Sequence, residues 1–445
     1  MGRRRRGTPR PIDIPSFECE IESLGSDGRG VTHIEGKTVF VAGALPGEKV
    51  IAKYLRRKRQ FDEALAEEII TASDDRVEPG CKSFGLCGGC ILQHLKPSEQ
   101  IKFKLQTLID NFARIGHVTA DMILPPITAN EWGYRRRARL GVRYVHKKEK
   151  VLVGFRELQS SFIADMQRCE ILHPVVGEKL QSLADLVRSL SIYNRVAQIE
   201  VVISDKVNGL VFRNLQPFTN EDLQLLTDYA KQNDFSVFTQ SGGPDTVEAL
   251  YPKEITLDYV LDEYDVRLEF EPGDFTQVNT AINHKMIAQA LEWLAPDKND
   301  RVLDLFCGIG NFTLPLGRKA SYVLGVEGSA AMVAKATRNA QLNDLGNVEF
   351  ETCNLADDDL SAEWLERGFN KILIDPPRSG AKEIMPKIAA LKPETIVYIS
   401  CHPGSLARDA GILVNEYGYA LKKATVLDMF PHTAHVESIA LFEKT

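Results

Sequence analysis

The chain has 445 residues, 44% hydrophobic and 26% charged, a globular composition that excludes disorder over most of the length. At about 100–200 residues per domain it holds about two to four domains. No run of about 18 apolar residues occurs, which argues against a membrane-spanning helix. The basic start MGRRRRGTPRP has no apolar stretch behind it, which argues against export and for a cytoplasmic protein.

The net charge of −7 is unevenly spread. The first 60 residues carry 13 Lys and Arg against 7 Asp and Glu, and two basic strips stand out, Lys49 to Arg59 and Tyr134 to Lys150. An acidic chain with local basic strips fits contact with phosphates at a defined face, although each strip alone reads equally well as solvated surface. The eight cysteines, in a cytosolic chain, suggest metal binding, catalysis or buried thiols before disulfides.

In chain order, Phe17 to Ile70 alternates polar and apolar residues between Gly and Pro punctuation, with a Glu-Gly turn inside VTHIEGKTVFV. This predicts a small β-barrel with Lys49, Lys53, Arg56, Arg57, Lys58 and Arg59 on an open face. A Gly/Cys-rich run with Cys81, Cys87 and Cys90 follows, then a helical stretch over 97–115. A β-rich region covers about 134–268. From about 283 onward strands alternate with helices, which predicts a doubly wound, mostly parallel sheet.

The last region carries the chemistry. RVLDLFCGIGNFTLPLG ends a buried strand in a glycine turn, and YVLGVEGS places Glu327 at the next strand end. Such a turn lets a backbone approach a ligand, and such an acid accepts ribose hydroxyls. ILIDPPRSG sets Asp375 at the mouth of the same cleft, and VYISCHPGS sets Cys401 at the end of the following strand. A strand-end Cys is ordinarily a buried small hydrophobe. DLFCGIGNFTLPLG with VEGS resembles the class I S-adenosylmethionine methyltransferases, with a nicotinamide or flavin site as the alternative. Beside the methyl-donor cleft that this resemblance implies, Cys401 is also the nucleophile that carbon methylation needs, because pyrimidine C5 is too weak to attack unaided. Glu437, opening an apolar run in HTAHVESIALF, is costly there unless used, and is the candidate base.

Together DFTQVN, DLFCGIGNFTL, VEGS, DPPRSG, SCHPGSLARD and FPHTAHVE resemble the RNA uracil-C5-methyltransferases. The resemblance implies an α/β Rossmann-like class I S-adenosylmethionine (SAM) methyltransferase domain. It implies SAM contacts from Gln277, Phe306, Asn311, Glu327, Asn354 and Asp375, with Cys401 as nucleophile and Glu437 as base. His402 stands where the family often has Asn. Cys81, Cys87, Cys90 and Cys169 look like the four ligands of a [4Fe–4S] cluster in the ribosomal RNA branch. A zinc site beginning at Cys87 and Cys90 stays open, but a second C-x-x-C pair is missing. The first segment resembles a TRAM domain, an OB-like RNA-binding barrel. The expected domains are a TRAM barrel over 12–71, a central iron–sulfur domain over 72–92 plus 129–270, and a methyltransferase domain over 93–128 plus 271–445. The partner implied is 23S ribosomal RNA, without a membrane, for a monomeric protein. The same chemistry on tRNA or a second rRNA uridine, or a non-catalytic ribosome-assembly factor, are the alternatives. Phe275 is a candidate for stacking on a base.

Overall fold

The computed structural model describes residues 15–357 and 361–445. The Arg-rich start, and the first residues of the expected barrel, lie outside them. The first unit is built from β1 (Phe17–Glu20), β2 (Ser23–Leu24), β3 (Gly30–Ile34), β4 (Lys37–Ala42), β5 (Lys49–Arg57) and β6 (Phe61–Thr71). Val50, Ala52 and Tyr54 point inward at alternate positions of β5, as the period of two requires. Glu35 and Gly36 turn β3 into β4 with positive φ at both residues, the backbone a tight hairpin demands. β1 pairs with β5 and β2 with β3, and only Ile21 and Glu22 separate β1 from β2. One run of chain therefore joins the two ends of the sheet, and the strands close on themselves.

After the cysteine-bearing run comes α1 (Pro97–Asn111), which ends in a wide turn over Phe112–Gly116, and then the short β7 (Met122–Ile123). The central sheet holds β8 (Arg137–Val145), β9 (Lys150–Gly154), β10 (Val196–Ile203), β11 (Asn208–Asn214), β12 (Ser236–Gln240) and β13 (Val247–Tyr251), in the order β13-β12-β11-β10-β8-β9. Its connections include α2 (Pro174–Gly177), α3 (Leu180–Ser189) and α4 (Asn220–Asn233). Leu183 and Val187 of α3 share one apolar cluster with Leu140, Ile199 and Phe212 of the sheet. The hairpin of β14 (Leu257–Leu261) and β15 (Val266–Phe270) turns toward the C-terminal half, where Tyr259 and Leu268 join its core.

That half contains α5 (Thr280–Leu294), β16 (Arg301–Leu305), α6 (Thr313–Lys319), β17 (Tyr322–Glu327), α7 (Ala330–Leu342), β18 (Val348–Thr352), β19 (Lys371–Ile374), α8 (Met385–Leu391), β20 (Thr395–Ser400), α9 (Pro403–Tyr417), β21 (Tyr419–Leu427) and β22 (Glu437–Lys444). The sheet order is β18-β17-β16-β19-β20-β22-β21-β7. The five expected strands are parallel; the four inner ones are largely apolar, because helices cover both faces, whereas the edge strand β18 carries Glu349 and Glu351. β22 inserts antiparallel between β20 and β21, and β7 extends the edge from the N-terminal half of the chain. The turn after α1 packs on α9 at very close range: a Cβ on Gly116 would overlap the Ala407 carbonyl oxygen, and one on Gly411 would fall 2.7 Å from the Gly116 oxygen. The chain runs outward in one direction from β16 to β18 and returns on the other side through β19 and β20. A crevice opens at this reversal, at the carboxyl ends of the strands.

Candidate active site

A cavity of about 1070 Å³ fills that crevice. Its floor is the turn after β16. The Phe306 and Cys307 N–H groups both donate to the Val326 carbonyl (2.9 and 3.2 Å), which folds the turn against β17. Gly308 adopts φ +56°, and a Cβ there would meet no atom within 4 Å. Glycine at this point keeps the space above the turn open for a ligand. The Glu327 carboxylate stands beside it. One oxygen accepts from the Gly308 N–H (3.3 Å) and the other from the Ser329 N–H (3.0 Å), so both hold position and both keep a lone pair.

Five of the six expected donor-site residues line this cavity: Gln277, Phe306, Asn311, Glu327 and Asp375. Asn354 does not. It lies exposed just beyond β18, with its side-chain oxygen accepting from the Ala356 N–H (3.2 Å). Asn311 is held rather than free: its oxygen accepts from the Tyr259 hydroxyl (2.9 Å) and its amide pairs with Asn283 in both directions. Sequence spacing could not expose those two partners, which come from different elements. Asp304 also escaped notice. It is fully buried under the turn, bonded to Thr313 at 2.5 Å through one oxygen, and without a partner for the other. Burial, and the nearby Asp375 and Glu327, push its carboxyl up to about 8.

Cys401 and Glu437 line the same cavity. Cys401 follows β20 directly and precedes α9, so its sulfur sits at the amino end of a 15-residue helix, a place that favours a thiolate. Burial nevertheless pushes the thiol up to about 11, with the Glu437 and Asp375 charges adding and Arg378 opposing. Glu437 is 5% exposed, and burial, reinforced by Asp375, holds its carboxyl well above the usual range. Burial also lifts Asp375 to about 7. His402 caps α9, its Nδ1 accepting from the Ser405 N–H (3.1 Å). Burial, then Arg378 and Arg408, lower its pKa, so the ring stays neutral and serves the helix. Arg378 and Arg135 also line the cavity, and neither has an ion-pair partner among the described residues. Their exposure to the cavity, not the density of the basic strips, marks them as free cations.

The family model tRNA (Uracil-5-)-methyltransferase matches residues 128–445. The 23S rRNA (uracil(1939)-C(5))-methyltransferase RlmD of Xanthomonas campestris pv. campestris (strain 8004) is 50% identical over 436 residues, 97% of this chain and 98% of that protein. The chain belongs to the RNA uracil-C5-methyltransferase family. RlmD of Alkalilimnicola ehrlichii (strain ATCC BAA-1101 / DSM 17681 / MLHE-1) is 49% identical over 445 residues, 100% of this chain and 99% of that protein. In backbone, this methyltransferase is similar to the Pyrococcus abyssi tRNA (uracil-54, C5)-methyltransferase, solved with S-adenosyl-L-homocysteine. The TM-score is 0.72 at 22% identity, over 96% of this chain and 100% of that one.

The methyltransferase's four expected cysteine ligands lie on another wall of the same cavity. All are free thiols, and their mutual charges raise the Cys90 and Cys169 pKa values on top of burial, to about 12 and about 11. Among the described residues, no group of three or more His, Cys, Asp or Glu could hold a metal ion as the side chains stand. The basic strip of the first unit differs from expectation. Lys53 pairs with Glu67, Arg57 with Asp62, and Arg56 and Lys58 with Glu63, so four of the six expected cations are neutralised by the neighbouring strand. Lys148 and Lys150 of the second strip pair with Asp165, and Arg136 with Asp205. No described helix is long and apolar enough to cross a membrane.

Proposed function

We propose that this protein transfers the methyl group of SAM to C5 of a uridine in 23S ribosomal RNA, at the position for which its RlmD relatives are named. One observation carries the reading. A strand-end thiol and a buried carboxyl, Cys401 and Glu437, face the same cavity as the open Gly308 turn and the Glu327 carboxylate.

SAM supplies an electrophilic methyl group. Gly308 leaves room for it, Glu327 accepts its ribose hydroxyls, and Gln277, Phe306, Asn311 and Asp375 complete its walls; Asn354 would have to swing inward to join them. The Cys401 thiol gives its proton to solvent, and its sulfur bonds to C6 of the uracil. The electrons of the C5–C6 double bond move onto C5 and the C4 carbonyl, and C5 takes the methyl group as its bond to the SAM sulfur breaks, leaving S-adenosylhomocysteine. Glu437, whose own proton has passed to solvent, then removes the C5 proton as carboxylate, and its raised pKa makes it a stronger acceptor. The double bond re-forms and the C6–sulfur bond breaks, returning the thiolate. The positive sulfonium of the bound donor would draw the raised Cys401 thiol down, toward the thiolate that attacks C6. A uridine stacked in a helix cannot meet both groups, so the base is flipped out. Phe275, 69% exposed beside Gln277, is placed to stack on it, and Arg135 and Arg378 to meet phosphates.

The finer reading includes a [4Fe–4S] cluster on Cys81, Cys87, Cys90 and Cys169. Donors aimed at these sulfurs support it: the Gly89 N–H reaches Cys87 (3.4 Å), backbone N–H groups of Ile171 and Leu172 reach Cys169, and Gln93 bonds Cys90 while accepting from the Cys81 N–H (3.1 Å). A cubane puts each thiolate on a different iron, so its ligands stand farther apart than those of one ion. Bound there, it would cross-link 81–90 to Cys169. The first unit is read as an OB-like TRAM barrel: its ring closes through one bent strand, and β4 lies parallel to β6. The domain division follows as expected, 12–71, then 72–92 plus 129–270, then 93–128 plus 271–445. We place the protein in the cytoplasm, with the ribosomal RNA proposed as its substrate, and read it as a monomer.

Denaturing gels with labelled 23S RNA and SAM test the activity. Cys401→Ala should give no shifted band and no 5-methyluridine, whereas Glu437→Gln should give a persistent methylated adduct. Methylation by the Cys401→Ala variant would refute the nucleophile. For the cluster, protein purified without oxygen should contain about four irons and lose them when Cys169 becomes Ser; one zinc and no iron would refute it.

A further inference from the structure

The segment Asp428–Val436 connects β21 to β22 and delivers Glu437. It also brings Phe430, Thr433 and His435 to the cavity. It is not regular structure, and His432 within it takes φ +66°, a left-handed conformation uncommon for a non-glycine residue. What holds it comes from about 330 positions earlier in the chain.

Two buried polar side chains of α1 reach into the segment. Lys104 is 0% exposed, and its ammonium donates to the Asp428 carboxylate (2.7 Å) and the Phe430 carbonyl (2.9 Å). Gln100, 3% exposed, accepts from the His432 N–H (2.9 Å) and donates to the Leu92 and Leu95 carbonyls (2.9 and 2.8 Å). The Ile91 and Leu92 N–H groups, one and two residues past Cys90, both donate to the His432 carbonyl (3.0 Å each). The backbone of His432 is thus gripped at its N–H and its carbonyl, and the segment's first residues are fixed by a buried charge. Burying an ammonium is costly without a demanding purpose, and apolar residues would fill the same space.

We propose that Gln100 and Lys104 are positioning residues for the base, holding 428–436 so that Glu437 meets the C5 proton of the methylated adduct. This rests on the proposed uracil-C5 methylation. Neither residue touches substrate, so their loss should act on one step. A displaced Glu437 leaves addition to C6 and methyl transfer in place and slows proton removal.

The test is single-turnover reaction of the full protein with labelled SAM and 23S RNA, following methylated adduct and free product together. With Gln100→Leu, release of product from the adduct should slow about ten- to a hundredfold, the scale of a small misplacement, while SAM affinity stays near wild type. Lys104→Met alone strands the Asp428 charge, so the paired variant K104M/D428L, which removes both charges, is the second probe and should show the same slowed release. The ratio of adduct to product is read only from molecules that have folded and transferred methyl, so a loss of stability does not mimic it. Wild-type release in both variants, or a loss confined to SAM binding or to methyl transfer, would overturn the proposal. Absence of any methylated product from the wild-type protein would instead count against the proposed function.

Discussion

The reacting residues are held at a cost in stability, and Asp375 makes that cost measurable. Its folded pKa, about 7, lies above the ordinary 3.8. Between those values the unfolded chain has released a proton that the folded chain keeps, so raising the pH through this window destabilises the fold. Asp375→Asn removes the penalty. It should raise the melting temperature by about 1–3 °C at pH 8, lose that gain near pH 4, and abolish methyl transfer. A melting temperature unaffected by the substitution at pH 8 would mean that burial does not strain the carboxyl. The placement of these residues was legible in the sequence, because Asp375, Cys401 and Glu437 each sit at a strand boundary that a run of apolar residues announces. Asp304 was not, since a buried carboxyl inside a strand motif looks like part of the motif. Gln100 and Lys104 were hidden more deeply. On α1 they read as ordinary polar helix positions, and only the distant loop explains why they are buried.

At the scale of elements, the inner parallel strands were plain from their apolar runs, and so was the first unit from its alternation. β7 is only two residues long and carried no such signal; it is a strand because the edge of β21 pairs with it. The basic strip on β5 misled for a related reason. Sequence shows the cations of one strand but not the acids across the ladder. Asp62 and Glu63 open β6 opposite Arg57 and Arg56 and draw off their charge. A cation already paired releases fewer counterions on meeting phosphate, so Glu63→Gln should free Arg56 and Lys58. RNA affinity should rise at low salt, and the slope of log affinity against log salt should steepen by about one to two units. An unaltered slope would place RNA on another face of the ring.

At the scale of the whole molecule, the catalytic half is assembled from two separate stretches of chain. α1 and β7 cover an edge and a face that residues 271–445 cannot close by themselves. Phe112 and Leu108 are both buried in the core shared with Tyr398, Leu413 and Phe442. The fragment 271–445 made alone should therefore be insoluble or molten, with weak near-ultraviolet dichroism, and co-expression with residues 93–128 should improve its recovery. A well-folded, SAM-binding fragment would show that the early segment is dispensable. The same arrangement has a consequence during synthesis. The Asn415 side chain that meets the Gly116 carbonyl is made 299 residues after it. At about 5–20 residues per second, the apolar face of α1 leaves the ribosome about 15–60 s before its partner exists. The nascent chain spends that interval with a sticky helix uncovered, so its yield in cells should depend on translation speed and on chaperones that shield such helices.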